Sequence, residues 1–361
     1  MTASTAKTSS LPSLTTLYAG DDHITLHVKR ENGPIICRCK VSKLIMCIAS
    51  PVWRAMLGGR FMEGNVQNRE IPLIDDDPEA LLTVLRIAHH RTYEVPTGLT
   101  LLQLVNIATI CDKYDTVAMC RPYIGIWVTP FIEIVEPSHQ ALYLSPGYES
   151  WLWCAWVFGY QETFSKLVNK LRVEISTDKE GCCYIPSDWE PNQLKLLKAN
   201  MPSDLTETLL HVRYETIQAM LGIFYGYLDR VQSGYSCRAY PSTQSGSSRL
   251  PSTNQNAVCC SALTLGLLIP VVQTLGGCCS PFDATTVHHS VDIVYQILTN
   301  VKLHEWREVD HWGPRRSHGQ CDFTSEMQRH LFLAYQAIKS PVLSSYVAHM
   351  ERQWAKGNYE A

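Results

Sequence analysis

The sequence predicts an α+β unit over residues 21–128, a small sheet with helices clustered on one side, followed by a mainly α-helical extension. Three observations predict it. His23-Ile24-Thr25-Leu26-His27-Val28 alternates polar and apolar residues, as a half-buried strand does. Ser50-Pro51 and Asp77-Pro78 each place a capping side chain before a proline, the signature of a helix start. From about Thr129 onward strand signals thin and long apolar stretches take over.

Each element follows from local chemistry. Asn32-Gly33 supplies a turn suited to positive φ, and Ile35, Cys37, Cys39 and Val41 alternate in the opposing strand, which completes a hairpin. Ser42 can cap a helix over Lys43 to Ala49, and Ser50-Pro51 starts the next, with Trp53 and Met56 facing the core and Arg54 exposed. Gly58 or Gly59 is expected to end that helix in the left-handed conformation. Glu70 to Ile74 reads as a short strand. After Asp77-Pro78-Glu79, Leu81, Leu82, Val84, Leu85 and Ala88 form an apolar helical stripe. Thr100 opens a further helix with Leu101, Leu104, Val105 and Ala108 inward.

The rest of the chain divides by composition. Residues 1–20 read as a Ser/Thr-rich disordered tail rather than a signal peptide, since they have no apolar stretch. Residues 129–234 form a helical region, with Trp151 to Leu171 and Asn192 to Val231 as helices. Trp151, Trp153 and Trp156 are expected in its core rather than on a docking face. Residues 235–257, rich in Ser, Pro, Gln and Gly, read as a flexible linker. Residues 258–361 form a C-terminal helical region, with Asp283 to Leu303 and Thr324 to Trp354 as its longest elements.

Composition limits the functions on offer. The net charge is -3 and no long basic stripe is present; Arg315-Arg316 is too short to suggest nucleic-acid binding. The apolar stretch Cys259 to Val272 is shorter than a bilayer requires and is broken by Ser261, Thr264 and Pro270, so a buried helix is expected and no membrane partner. With 14 cysteines and no Asn-x-Ser/Thr acceptor site, an intracellular protein with reduced thiols, in cytoplasm or nucleus, is expected.

Residues 21–128 resemble a BTB/POZ domain of the fungal type, which commonly carries a helical extension. The resemblance rests on the opening hairpin, on "LIMCIASPVWRAMLGGRFMEG", on "REIPLIDDDPEALLTVLRIAHHRTYEVP" and on "LVNIATICDKYD". The chain departs from the family at Ser42-Lys43, where many members have His-Lys, and at His23, where an Asp is common. These departures weaken the case for the charged pocket with which transcription-factor members bind co-repressors. The resemblance implies a non-enzymatic interaction protein that homodimerises. It also implies a candidate cullin-type ubiquitin-ligase scaffold as partner, through the hydrophobic-x-Glu motif Phe61-Met62-Glu63, with Arg54 beside it on the surface. A transcriptional or chromatin-associated regulator is the alternative, but no zinc-finger or basic module accompanies the domain.

Gly58-Gly59 is not a phosphate loop, since neither Gly-x-x-x-x-Gly-Lys-Ser/Thr nor Gly-x-Gly-x-x-Gly is present. One region holds ligand chemistry: His311, His318 and Cys321 lie in a short loop-like stretch, and His318-x-x-Cys321 is a permissible zinc spacing. Against zinc stands the lack of any Cys-x-x-Cys pair, and a polar loop with buried structural cysteines is the competing reading. No cofactor is otherwise expected. A Cys/His hydrolase built on Cys321 would need a positioned base, an orienting group and an oxyanion site, and the sequence marks none of these.

Overall fold

The protein is described here by a computed structural model. It covers residues 12–58, 69–135, 148–185, 195–196, 201–233, 237–239, 255–276, 283–303, 307–310 and 313–357. The chain is a mixed α+β protein, mostly helical, with a small mixed sheet. It divides into two compact units. The first comprises Met1–Leu167, Ala199–Pro202 and Val342–Ala361, the second Val168–Lys198 and Ser203–Pro341.

In the first unit β1 (Leu14–Thr16), β2 (His23–Lys29), β3 (Ile35–Ser42) and β4 (Glu70–Ile74) form one sheet in the order β1-β3-β2-β4. Strands β2 and β3 are antiparallel, whereas β1 on β3 and β4 on β2 are parallel. The alternation read from the sequence holds in β2, where Ile24, Leu26 and Val28 are buried and the residues between them are half-buried. At the hairpin, Asn32 takes the left-handed conformation at φ 57°, the one small polar side chain there that tolerates it.

Helices α1 (Lys43–Ala49), α2 (Pro51–Leu57), α3 (Pro78–Ala88) and α4 (Leu101–Tyr114) begin where the capping residues predict. Ser42 Oγ accepts the Ile45 N–H at 3.4 Å, Ser50 Oγ that of Trp53 at 3.0 Å, and Asp77 Oδ1 that of Ala80 at 2.9 Å. Thr100 and Gln103 form a reciprocal capping box. Helix α2 ends at Gly58, as the glycine pair predicts, and Gly59, the other candidate for the left-handed position, lies outside the described residues. Gly58 lies at φ -76°, not in the left-handed region. It is glycine because a Cβ there would meet the Arg54 carbonyl oxygen at 2.6 Å.

Strand β1 falls within residues 1–20, which the sequence reads as a disordered tail, and its pairing with β3 corrects that reading for Leu14–Thr16; past Tyr114 the helices depart from the sequence-based segments as well. Helix α5 (Val117–Val135) runs straight through the expected boundary at 128/129. The stretch from Trp151 to Leu171 is two helices, α6 (Tyr148–Phe158) and α7 (Gln161–Glu174). They break at Gly159, at φ 83°, where a Cβ would lie 2.5 Å from the Trp354 backbone nitrogen. Trp151 and Trp153 are buried, and Trp156 stacks on His349 with ring centroids 3.9 Å apart, so this aromatic cluster is core. The C-terminal helix α12 (Ser344–Ala355) belongs to the first unit, not to a separate C-terminal region.

In the second unit, short strands β5 (Ser176–Thr177), β6 (Cys183–Ile185) and β7 (Lys195–Leu196) form a three-stranded sheet that the sequence did not signal. The helix expected from Asn192 begins only at Leu205, as α8 (Leu205–Gln232). Helices α9 (Gln255–Thr274), α10 (Val291–Thr299) and α11 (Thr324–Gln336) complete the unit with the hairpin β8 (Arg307–Asp310) and β9 (Gly313–Ser317). Their core gathers Ile217, Met220, Phe224 and Leu228 of α8 with Leu268, Val294, Leu298 and Leu331. Helix α9 is long and apolar enough to cross a membrane by length and composition alone. It is not the fully buried helix expected: Ala257, Cys260, Ser261, Leu268 and Val272 are buried, while Val258 and Leu263 are exposed.

Candidate functional site

Two places carry recognisable chemistry, one in each unit. In the first, Ser50 fixes the α1–α2 elbow. Its hydroxyl accepts the Trp53 N–H and donates to the Tyr114 carbonyl at 2.5 Å, which ties the start of α2 to the end of α4. Tyr114 in turn donates its hydroxyl to Asp76 Oδ2 at 2.5 Å, and Lys113 Nζ lies 2.5 Å from Asp76 Oδ1. Burial, then the hydrogen bond to Asp76, pushes the Tyr114 phenol up. Trp53, fully buried, packs on Tyr114 with ring centroids 5.1 Å apart. The start of α1 is held as firmly. The Ser42 N–H donates to His89 Nε2 at 3.1 Å, and His89 Nδ1 donates to the Leu85 carbonyl at 2.9 Å, an arrangement only the neutral ring can make.

This scaffold leaves one face of α1 apolar and unburied. Every residue of α1 after Lys43 is apolar, yet Met46 alone is buried. Leu44 and Ile48, one helical turn apart, are 63% and 69% exposed, and Val52 at the start of α2 is exposed as well. Arg54 is exposed, as the sequence indicates, but its Nε donates to the Cys47 carbonyl at 2.8 Å, so it braces the elbow from outside. Phe61, Met62 and Glu63 lie outside the described residues.

In the second unit, Cys237, Cys260, His318 and Cys321 converge, with their Sγ and imidazole nitrogen atoms all within 4.8 Å of one another. Cys237 Sγ is 3.5 Å and Cys321 Sγ 3.8 Å from His318 Nδ1. Cys237, Cys260 and His318 are buried and Cys321 is partly so. The three cysteines are thiols, not disulfides. A 3-10 turn, Gly319–Cys321, explains the local spacing: at three residues per turn, positions i and i+3 eclipse, so His318 and Cys321 point the same way. The Cys321 N–H closes that turn on the His318 carbonyl at 2.8 Å. Cys260 sits on the buried stripe of α9 with Ala257 and Ser261, whereas Cys259 is off that stripe. Burial, then the thiols of Cys321 and Cys237 beside it, pushes the Cys260 thiol far above its ordinary range.

Of the ligands expected from the sequence, His318 and Cys321 come together and His311 lies outside the described residues. Cys237 and Cys260 were missed. Cys237 falls in the stretch expected to be a flexible linker, yet it is buried, and Cys260 was hidden in an adjacent Cys-Cys pair. Helical phase was the available signal, since Ala257, Cys260 and Ser261 share one stripe and Cys259 does not. No protein-family model matches the chain, and no curated protein matches it in sequence.

Proposed function

We propose that this protein is a non-enzymatic interaction module of the BTB/POZ type that pairs with a second copy of itself through the open face of α1. The observation that carries the reading is the exposure of Leu44 and Ile48, side by side on a helix whose ends are rigidly fixed. Apolar side chains presented on a rigid element are what a self-complementary interface uses, and covering each stabilises by about 1.5–3 kcal/mol when burial is complete. The order of strand hairpin, Ser-capped helices, strand and Asp-Pro-started helix supports the same reading.

The test is size-exclusion chromatography with light scattering on the full chain and on a Leu44→Asp, Ile48→Asp double variant. Both side chains are exposed, so the variant is expected to keep the wild-type circular dichroism spectrum while shifting from dimer to monomer. A wild-type monomer at every concentration, or a variant that stays dimeric, would refute the proposal. The narrower role of cullin-type adaptor rests on Phe61-Met62-Glu63 in the sequence. It requires that cullin co-purify with the wild type and be lost from a Phe61→Ala, Glu63→Arg variant; equal recovery from both sinks it.

A further inference from the structure

We infer that Cys237, Cys260, His318 and Cys321 form a closed structural zinc site that joins three separate segments of the second unit. This inference does not depend on self-association.

The geometry is the first argument. Tetrahedral zinc holds sulfur at about 2.3 Å and imidazole nitrogen at about 2.0 Å, which sets neighbouring sulfur and nitrogen ligands about 3.5 Å apart and neighbouring sulfurs about 3.8 Å apart. The two sulfur–nitrogen separations, 3.5 and 3.8 Å, fall at that spacing, and all four ligand atoms lie inside a 4.8 Å group. Four protein ligands leave no position for water or substrate, which makes the site structural rather than catalytic. Three thiolates and one imidazole suit zinc, a borderline-soft ion, far better than calcium or magnesium, which take oxygen.

The surroundings supply the second argument. This corner has its own small cluster of Cys237, Ala257 and Cys260, with Ala239 and Cys321 packed against it, distinct from the main core of the unit. Two alanines and three cysteines bury little apolar surface, so hydrophobic packing alone holds these segments weakly. A metal compensates for so small a core, because binding energy at a structural site is folding energy.

The second coordination sphere is also in place. The Arg238 backbone N–H lies 3.2 Å from Cys321 Sγ and donates to it, a bond that strengthens when the sulfur is a thiolate. Three thiolates and one neutral imidazole around a divalent ion would give a centre of net charge about -1, which this N–H helps offset. The ligands come from three separate stretches of the sequence, and the ion would clamp Cys237, just after α8, to the first turns of α9 and to the turn after β9.

Elemental analysis of the full-length chain, purified anaerobically from zinc-supplemented cells, tests this. The expected result is about one zinc per chain, falling to near zero in Cys260→Ser and in Cys237→Ser. Cys259→Ser, next door on α9, and His311→Ala are expected to retain it. Should the ligand variants fail to fold, cobalt(II) added to the chelator-stripped wild type carries the test, through the intense visible bands of tetrahedral thiolate coordination. Absence of both zinc and those bands overturns the inference. So do iron in place of zinc, equal zinc in Cys260→Ser, or a disulfide among Cys237, Cys260 and Cys321 in the anaerobic material.

Discussion

Arg121 explains why the last helix of the chain belongs to the first unit. From α5 its guanidinium donates to three backbone carbonyls: Nε to Lys356 at 2.9 Å, Nη1 to Phe158 at 3.1 Å and Nη2 to Gln353 at 2.5 Å. Two of these close the end of α12 and the third closes the end of α6, where helices leave carbonyls without partners. A positive charge at two helix C-termini also meets two favourable dipoles. The side chain lies against Trp354, 5.4 Å from its ring centre, and burial lowers its pKa.

Replacing Arg121 with Ala removes all three bonds. Each orphaned buried carbonyl costs about 1–3 kcal/mol, and water reaching a frayed helix end recovers part of that, so the net loss should be about 3–5 kcal/mol. Lysine keeps the charge but has no planar fork, so Arg121→Lys should lose about 2 kcal/mol. Urea unfolding of the full chain gives the totals. Hydrogen exchange should show protection lost first over Ser344–Ala355. An alanine variant within about 1 kcal/mol of wild type, or unchanged protection in α12, would refute this account of the C-terminal helix.

Two further outcomes follow from buried imidazoles and from the thiol cluster. Burial is the largest influence holding the pKa of both His89 and His349 below the ordinary value, so each is neutral in the folded chain while the unfolded chain takes up a proton near pH 6.5. The unfolded state then binds more protons, and stability present above about pH 6.5 should fall as the pH drops from there through the lower folded values. The slope is at most about 1.4 kcal/mol per pH unit for each ring, and urea midpoints unchanged between about pH 7.5 and 5.5 would contradict it. Chelating the metal should lower the melting temperature of the wild type and leave that of Cys260→Ser unmoved; differential scanning calorimetry reads both.

What the sequence disclosed follows the range of the physics involved. Ser42, Ser50, Asp77 and Thr100 cap helices through bonds to residues three positions on, so the order of elements from β2 to α4 was legible. Gly58 was legible as the stop of α2, but the space it needs beside the Arg54 carbonyl was not, and Gly159 was hidden altogether, because the space it requires lies against Trp354, 195 positions further along the chain. The same holds for α12, whose place depends on Arg121; at the boundary near 128, α5 carries Pro130 within it and still continues to Val135.

The thiol cluster shows the divide within one site. His318 and Cys321 were legible as a pair because a single turn brings them together. Cys237 and Cys260 join them only through tertiary packing, and the Ser- and Pro-rich stretch between the two disguised both.

Native mass spectrometry of the intact chain, sprayed from volatile buffer over a range of concentrations, tests the central claim of self-association most directly. The predicted species contains two copies of the 40.8 kDa chain, each carrying the added mass of one zinc ion, and it dissociates on Leu44→Asp, Ile48→Asp substitution without losing the zinc. A single-chain species at every concentration would contradict self-association through α1, whatever metal that chain carries.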